Sequence, residues 1–331
     1  MDKRFNLLAS WVARQTGQPV DFTPLFADAS HRRYYRVDVN SATLVAVDTP
    51  VQLEDPKRFV ELASAFRRMG LNVPEIHAQD LTDGFLLLED FGDQHYYGAL
   101  DAQSADTLYR AAIDALVKLQ ASSPQLHSIL EDYDEDLLRF ELSLFPEWCL
   151  ETHLEKKLQP AEKTLIENAF DVLTRNALEQ PRLAIHRDFH SRNLMIQAKN
   201  NPGIIDFQGA LWGPLTYDLV SLLRDCYIDW PETRLRKWIS YYCQRAIDMH
   251  VLGTIDPLQF QRWFDLCGMQ RHLKAIGIFC RLKHRDQRPQ FLADVPRVWN
   301  YIVRAGGKYD ELLPFTELLE NYRRDFDQCR R

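Results

Sequence analysis

The sequence has little of what would take it out of the ordinary soluble enzymes. Its 331 residues hold six cysteines, at positions 149, 226, 243, 267, 280 and 329, with no C-x-x-C pair among them. This spacing excludes a disulfide framework and reads as reduced, mostly buried thiols of a cytoplasmic protein. No apolar run reaches the length of a membrane span, so no membrane association is expected. Basic charge is not in excess: the net charge is −7 and the lysines and arginines are interleaved with acids, which disfavours a nucleic-acid partner. The start, Met1-Asp2-Lys3-Arg4, is basic, but the apolar stretch behind it is broken by Arg14 and lacks a small-residue cleavage site, so it does not read as a secretory signal. Internal repeats and low-complexity segments are missing too. What remains, 46% hydrophobic and 26% charged residues, is the composition of a globular chain long enough for two packed lobes.

The informative stretch runs from Leu183 to Phe207, L-A-I-H-R-D-F-H-S-R-N-L-M-I-Q-A-K-N-N-P-G-I-I-D-F. Leu183-Ala184-Ile185 and Leu194-Met195-Ile196 flank a polar loop, and Ile204-Ile205 follows a turn at Asn200-Asn201-Pro202-Gly203. The pattern predicts strand, loop, strand, hairpin turn, strand. Asp188 stands five residues before Asn193, and Asp206 closes the last apolar run, which is the H-R-D-x-x-x-x-N pattern followed by D-F. Phosphoryl transfer needs this set. Magnesium is a hard cation that takes oxygen ligands, here Asn193 and Asp206, while Asp188 is the candidate base for the acceptor hydroxyl. The triplet alone is weak, since a second copy stands at His284-Arg285-Asp286. Phe291 follows there where Asn is needed, no apolar run ending in Asp comes after, and the flanks read as a helix end.

Upstream, Phe5, Leu8, Trp11 and Val12 predict a helix over 3–16. A β-meander follows, through Asp21–Phe26, Tyr34–Val39 and Thr43–Asp48. Its first turn, with Ala29 and Ser30, is not glycine-rich. Ser30, His31, Arg32 and Arg33 are the candidate ATP-phosphate contacts, arginine being suited to bidentate phosphate binding. Val45-Ala46-Val47-Asp48 aligns with the V-A-I-K of protein kinases, with aspartate in place of the lysine, so the cationic help near the phosphates must come from the 32–36 segment or from the metal. Pro56 to Met69 reads as a helix stopped by Gly70, on which Glu61 is more simply a solvated charge. Val73–Ala78 and Gly84–Asp90 read as the last two strands. Gly92 marks a hinge, and Leu88, Glu89 and Asp90 are candidate contacts for adenine.

Beyond the hinge the pattern is helical, over 104–119, from Leu137, and over 159–178. The acidic run 131–136 reads as charge at a helix N-terminus. Phe207–Pro214 reads as an irregular loop. Asp218 either caps the helix that starts there or orients the catalytic loop from inside. The last third reads as helices with aromatic core faces. Polar groups among Arg224, Asp225, Tyr227, Asp229, Trp230 and Gln270-Arg271-His272 are candidates for an acceptor pocket, and Arg224 is taken as the substrate-binding residue.

The combination H-R-D-F-H-x-R-N, I-I-D-F-Q and Y-D-L-V-S-L-L resembles the aminoglycoside phosphotransferase and choline kinase-like branch of the protein-kinase fold. D-A-S-H-R-R-Y-Y-R-V, V-D-T-P and Q-R-H-L-K-A-I-G-I-F-C-R-L resemble, more narrowly, the bacterial kinases of cell-wall amino sugars, and the likeness covers almost the whole chain. The resemblance implies an α+β fold of two lobes: a small antiparallel β-rich lobe over 1–92 that binds nucleotide, and a larger, mostly helical lobe over 93–331 with the catalytic loop and acceptor site. It implies ATP and Mg²⁺ as cofactors, Asp188 as base, and Asn193 and Asp206 as metal ligands. The implied reaction phosphorylates the C1 hydroxyl of N-acetylmuramic acid or N-acetylglucosamine, for peptidoglycan recycling. Asp48 and Gln208, the latter in place of the glycine of D-F-G, depart from the wider kinase pattern. Two alternatives stay open: a kinase of another small alcohol, such as an aminoglycoside, choline or a different sugar, and a nucleotide-binding scaffold without catalysis. Oligomeric state is not legible.

Overall fold

The computed structural model describes residues 3–25, 31–40 and 42–329. In chain order the elements are α1 (Lys3–Thr16), β1 (Phe22–Leu25), β2 (Arg33–Val39), β3 (Ala42–Asp48), α2 (Pro56–Arg68), β4 (Ile76–Asp80), β5 (Phe85–Glu89), α3 (Tyr96–Ala99) and α4 (Ala105–Ala121). Then come α5 (Glu135–Leu144), α6 (Pro160–Leu178), β6 (Arg182–Ile185), β7 (Leu194–Met195), β8 (Gly203–Ile204) and β9 (Leu211–Pro214). The chain ends in α7 (Tyr217–Leu223), α8 (Glu232–Asp248), α9 (Pro257–His284), α10 (Val295–Gly306) and α11 (Leu313–Cys329). These form two compact units. The first is 1–99 with 192–208, and the second is 100–191 with 209–331.

The first unit is built on an antiparallel sheet in the order β1-β2-β3-β5-β4. Side chains alternate across a strand, so each strand offers one set to each face. On one face Val37, Ala46, Phe85 and Leu87 pack under Leu8, Trp11 and Val12 of α1. Asp48 shares the parity of Ala46 and therefore points to the same face. It is completely buried there, and Arg4 of α1 and Arg33 of β2 reach its two oxygens at 2.6 and 2.5 Å. Arg33 lies opposite Asp48 in the strand register. Val45 and Val47, with Tyr34 and Arg36, point the other way.

Helix α2 starts where Asp55 accepts the Lys57 N–H at 2.8 Å and Pro56 fills the first turn. It carries Phe59 and Phe66 onto the ring of Phe207, with centroids 4.9 and 5.5 Å away. The predicted hairpin is present as β7 and β8, pairing Leu194 with Ile204 and Met195 with Gly203. It is tied to the rest of this unit by the Ile204 N–H to Asn72 O and the Ile196 N–H to Gln94 O, both 2.7 Å. Gly203 is required there, because a Cβ would lie 2.7 Å from the Phe91 ring.

The second unit is mostly helical. Its core gathers Leu142, Phe145, Leu173, Leu273, Ile276, Trp299 and Phe326 around α9. Asp134 caps α5 by accepting the Leu137 N–H, which gives the acidic run its helix-start role. The second H-R-D copy falls at the end of α9 and just beyond it. One expectation is corrected: Leu211–Pro214 is a strand, β9, and pairs with β6. The segment has no apolar alternation to betray it. Gly213 lets it close, since a Cβ would meet Ile185 Cδ1 at 2.5 Å. Among the described residues no helix is long and apolar enough to cross a membrane.

The Asp48 cluster gives a stability test. The double variant Arg4→Ala/Arg33→Ala strands a buried carboxylate, so urea unfolding should show a loss of about 3–5 kcal/mol. A loss below about 1 kcal/mol would mean that Asp48 finds compensation elsewhere.

Candidate active site

The loop after β6 is held by carboxylates from below. Asp218, fully buried at the start of α7, accepts the N–H of His186 at 2.6 Å and of Arg187 at 3.0 Å. Asp225, just past the end of α7, accepts both the N–H (3.0 Å) and the Oγ–H (2.5 Å) of Ser191. Asp218 thus orients the catalytic loop from inside. Burial pushes its carboxyl up to about 7, against the two backbone donors, and the nearby charge of Asp188 adds to the rise. Arg187 has φ of +76°, a conformation an L-residue holds only when its surroundings fix it. Its guanidinium is bound by the buried Glu141, which also receives Lys274 Nζ at 2.9 Å and the Tyr133 hydroxyl.

Asp188 projects from this clamped loop, and its side chain is 47% exposed. Removal from water by the surrounding protein raises its pKa. Lys274, His190, Arg271 and Arg187, which face it, outweigh that and hold the carboxyl well below the usual carboxylate range. Asp188 is therefore ionised throughout the neutral range.

Asn193 and Asp206 lie together in the first unit. Asn193 Nδ2 donates to Asp206 Oδ2 at 3.3 Å across the β7–β8 hairpin. Asp206 is exposed and has φ of +62°. Gln208, where protein kinases carry glycine, donates its Nε2–H to Asp206 Oδ1 at 2.6 Å, and its carbonyl is fixed by Arg58 of α2 at 3.1 Å. Among the described residues no three His, Cys, Asp or Glu side chains gather into an all-protein metal cage. A magnesium ion takes only one or two protein carboxylates plus phosphate oxygens and water, so an amide oxygen, a carboxylate and the buried, unbonded Oε1 of Gln208 fit such an ion.

Ser30 lies outside the described residues. His31 donates its N–H to Glu54 at 3.2 Å, and the buried Arg32 pairs with the other Glu54 oxygen at 2.7 Å. Tyr34 adjoins this pair. Burial pushes its hydroxyl up to about 12, with Arg32 lowering it and the charges of Asp206 and Glu54 raising it, so Arg32 and Asp206 share one neighbourhood. Arg33 instead turns to Asp48 on the opposite face. Asp48 thus does not occupy the place of a catalytic lysine, and Glu61 is exposed on α2. Leu88 is buried in β5, and Glu89 accepts the Glu75 N–H at 3.1 Å. Asp90 is fixed by Arg36 at 2.5 Å.

Arg224 is committed elsewhere. Its guanidinium pairs with the buried Asp265 at 2.8 Å and lies over the Phe264 ring. Gln270 donates to the Tyr133 hydroxyl, and burial lowers His272 to about 3, where it is neutral and bonded to the Arg224 carbonyl. Of the 270–272 segment, Arg271 faces Asp188. Sequence reasoning gave no role to Glu54 or Glu141. Glu54 is a loop acid beside the helix-capping Asp55, and Glu141 shows only as an acid at a position otherwise expected to be apolar.

The profile of the phosphotransferase enzyme family matches residues 21–254. The chain is 41% identical over 329 residues to the N-acetylmuramate/N-acetylglucosamine kinase of Pseudomonas aeruginosa, covering 96% of each. It is 36% identical to the enzyme of that name from Neisseria meningitidis, covering 94% of each. Among solved structures, an ADP-bound aminoglycoside phosphotransferase superposes with a TM-score of 0.60 at 17% identity, over 90% of this chain and 97% of that one. A choline kinase from Streptococcus pneumoniae superposes with a TM-score of 0.64 at 11% identity, over 92% of this chain and 100% of that one. At such identities these two likenesses establish the fold, an α+β fold of the protein-kinase-like kind.

The Glu141 cluster yields a pH-dependent test. Burial raises its pKa, but Lys274 and Arg187 outweigh that and hold it below the ordinary value. A depressed folded pKa contributes stability that is full above the unfolded carboxylate range and is lost as pH falls through the folded value. Glu141→Gln should therefore cost about 3–5 kcal/mol in urea unfolding at pH 7, a deficit that shrinks on acidification. Equal stability of the two proteins at pH 7 would sink this account.

Proposed function

The chain belongs to the phosphotransferase enzyme family, and from that membership we infer that it transfers the γ-phosphoryl group of ATP to the anomeric hydroxyl of N-acetylmuramate and N-acetylglucosamine. The observation that carries the acceptor class is electrostatic. A kinase of cationic aminoglycosides or choline needs free acids beside its base. Here three permanent cations, Lys274, Arg271 and Arg187, face Asp188. The acids behind the loop are already engaged: Glu141 by Arg187 and Lys274, Asp218 and Asp225 by backbone N–H groups, and Asp265 by Arg224 and Lys308. This environment favours neutral or anionic acceptors. The 41% identity to a kinase named for two N-acetylated sugars supports the same choice.

In this reading Asp188 accepts a hydrogen bond from the acceptor hydroxyl and takes its proton as the new O–P bond forms and ADP departs. Asn193 and Asp206 hold magnesium, which when bound supplies charge neutralisation to the transferring phosphate. Gln208 keeps the Asp206 carboxylate turned in one direction. Arg32, pinned by Glu54, supplies the cation that the third strand lacks, and the backbone from Leu88 to Asp90 receives adenine. The product is a sugar 1-phosphate, a form suited to re-entry into cell-wall synthesis in the cytoplasm, where ATP is available. Cys149, Cys226, Cys243, Cys267 and Cys280, the cysteines whose side chains are described, are free thiols.

ADP release with magnesium-ATP and a panel of N-acetylmuramate, N-acetylglucosamine, glucose, choline and kanamycin tests the reading, with phosphorus NMR on the product. A 1-phosphate of the N-acetylated sugars is expected. Turnover confined to choline or kanamycin overturns the acceptor, and ATP binding without any turnover overturns the kinase. Asp188→Asn should lower kcat roughly 10²–10⁴-fold with the unfolding midpoint kept, and near-normal turnover removes Asp188 from the role of base. Arg32→Ala should raise KM for magnesium-ATP at least about 10-fold, whereas Asp48→Asn should shift it by less than about threefold. Steady-state kinetics with the reverse ranking would return Asp48 to the phosphate site.

A further inference from the structure

Three permanent cations, Lys274, Arg187 and Arg271, face Asp188, and they are not equivalent. Lys274 and Arg187 are spent on Glu141, and Lys274 also meets the Tyr217 hydroxyl at 3.3 Å. Arg271 lies three residues before Lys274 on the same side of α9, in keeping with helical spacing. Its guanidinium is buried, with a side chain only 6% exposed, and its Nη2 is 3.8 Å from Asp188 Oδ1, too far for a hydrogen bond. Nη1 has the Cys226 sulfur at 3.5 Å, and Nε has no partner. A thiol sulfur is a weak acceptor, and burial keeps the Cys226 thiol protonated by raising it to about 11. A guanidinium has five donors in a planar fork, and removing it from water is costly unless oxygens meet them. Arg271 is thus a buried cation whose donors are under-used, beside the carboxylate that receives the acceptor.

On the acceptor reading above, we propose that Arg271 is the specificity residue of the acceptor site, taking the carboxylate of N-acetylmuramate while Asp188 takes its hydroxyl. The two sugars differ by the lactyl ether that bears this carboxylate, so a cation able to bind it sets their ranking. Arginine suits the task better than lysine because its fork matches a carboxylate with two parallel hydrogen bonds. Placement on α9, a 28-residue helix through the core, keeps that fork at a fixed distance from Asp188. The same charge repels a cationic acceptor, so one side chain both attracts and excludes.

The test compares kcat/KM for the two sugars in wild type, Arg271→Lys and Arg271→Gln. The ratio of N-acetylmuramate to N-acetylglucosamine should fall roughly 10- to 100-fold in Arg271→Gln, mainly through KM, and by an intermediate amount in Arg271→Lys. A ratio within threefold of wild type in both variants overturns the proposal and leaves Arg271 a positioning residue for Asp188. Should the variants fail to fold, the wild-type enzyme decides. The methyl ester of N-acetylmuramate, whose carboxylate is neutralised, should show a KM raised by roughly 10-fold or more, and an unchanged KM overturns the proposal. Failure of wild type to phosphorylate either sugar would instead strike the acceptor reading itself.

Discussion

The catalytic loop depends on two buried carboxylates that flank one short helix. Asp218 and Asp225, at the start of α7 and just beyond its end, accept backbone N–H groups from His186, Arg187 and Ser191. The loop meets one of its own donors, the His190 N–H on the Asp188 carbonyl at 3.0 Å, but its residues leave helix and sheet geometry and the others need outside acceptors. Unmet N–H groups in a buried place would cost as much as lost hydrogen bonds. The carboxylates meet that need and, in doing so, hold Arg187 in a left-handed conformation. The direction in which Asp188 leaves the backbone follows from this hold. Glu141 then fixes the Arg187 side chain, so the residues on either side of the turn toward Asp188 are set by α5 and α7. Because Glu141 is part of the fold, the arginine of the H-R-D triplet has its anion permanently and waits for no added phosphate.

A comparable logic governs the first unit with different chemistry. The β7–β8 hairpin is too short to be stable alone, having two residues in each strand. It persists because its backbone bonds to residues 72 and 94 and its Gly203 fits against Phe91. Asn193 and Asp206 enter and leave that hairpin, so a rigid pair of oxygen donors comes from a motif that would fray by itself. Phe207 buries next to them against Phe59 and Phe66, and this anchors the strained Asp206 backbone.

Much of this was legible in the sequence because it is local. The spacing of Asp188, Asn193 and Asp206, the turn at residues 200–203 and the amphipathic pattern of α1 are all encoded within a few residues of one another. The alignment of Val45–Asp48 with V-A-I-K failed for a local reason too. Strand side chains alternate, so an alignment off by one residue exchanges the two faces of the sheet. Asp48 looked like a substituted lysine and is a buried acceptor for Arg4 and Arg33. Only the position of α1 distinguishes the two faces, and no window of sequence contains that. Strand β9 escaped because Leu-Trp-Gly-Pro has neither alternation nor β-branching. Arg224 and Arg271 looked alike as polar residues in apolar helices. Asp265, more than forty residues from Arg224 in sequence, consumes the first, and nothing short of the folded chain shows it.

The cations beside Asp188 raise a chemical question, since a carboxylate held below its usual range is a weak base. Brønsted behaviour makes a weak base a poor acceptor for the proton of an ordinary alcohol. An anomeric hydroxyl is more acidic than an ordinary alcohol, which narrows the gap. On the proposed reading Arg271, the cation beside Asp188 that Glu141 does not hold, also favours negative charge on the attacking oxygen. In a loose phosphoryl-transfer transition state little proton transfer is needed before the P–O bond to the leaving group has weakened. On the proposed reading the work of Asp188 is then to orient the hydroxyl and receive its proton late, and a carboxylate that is ionised at every neutral pH is well matched to that work. An ordinary alcohol has less acidity to offer, and on this reading so weak a base serves it less well.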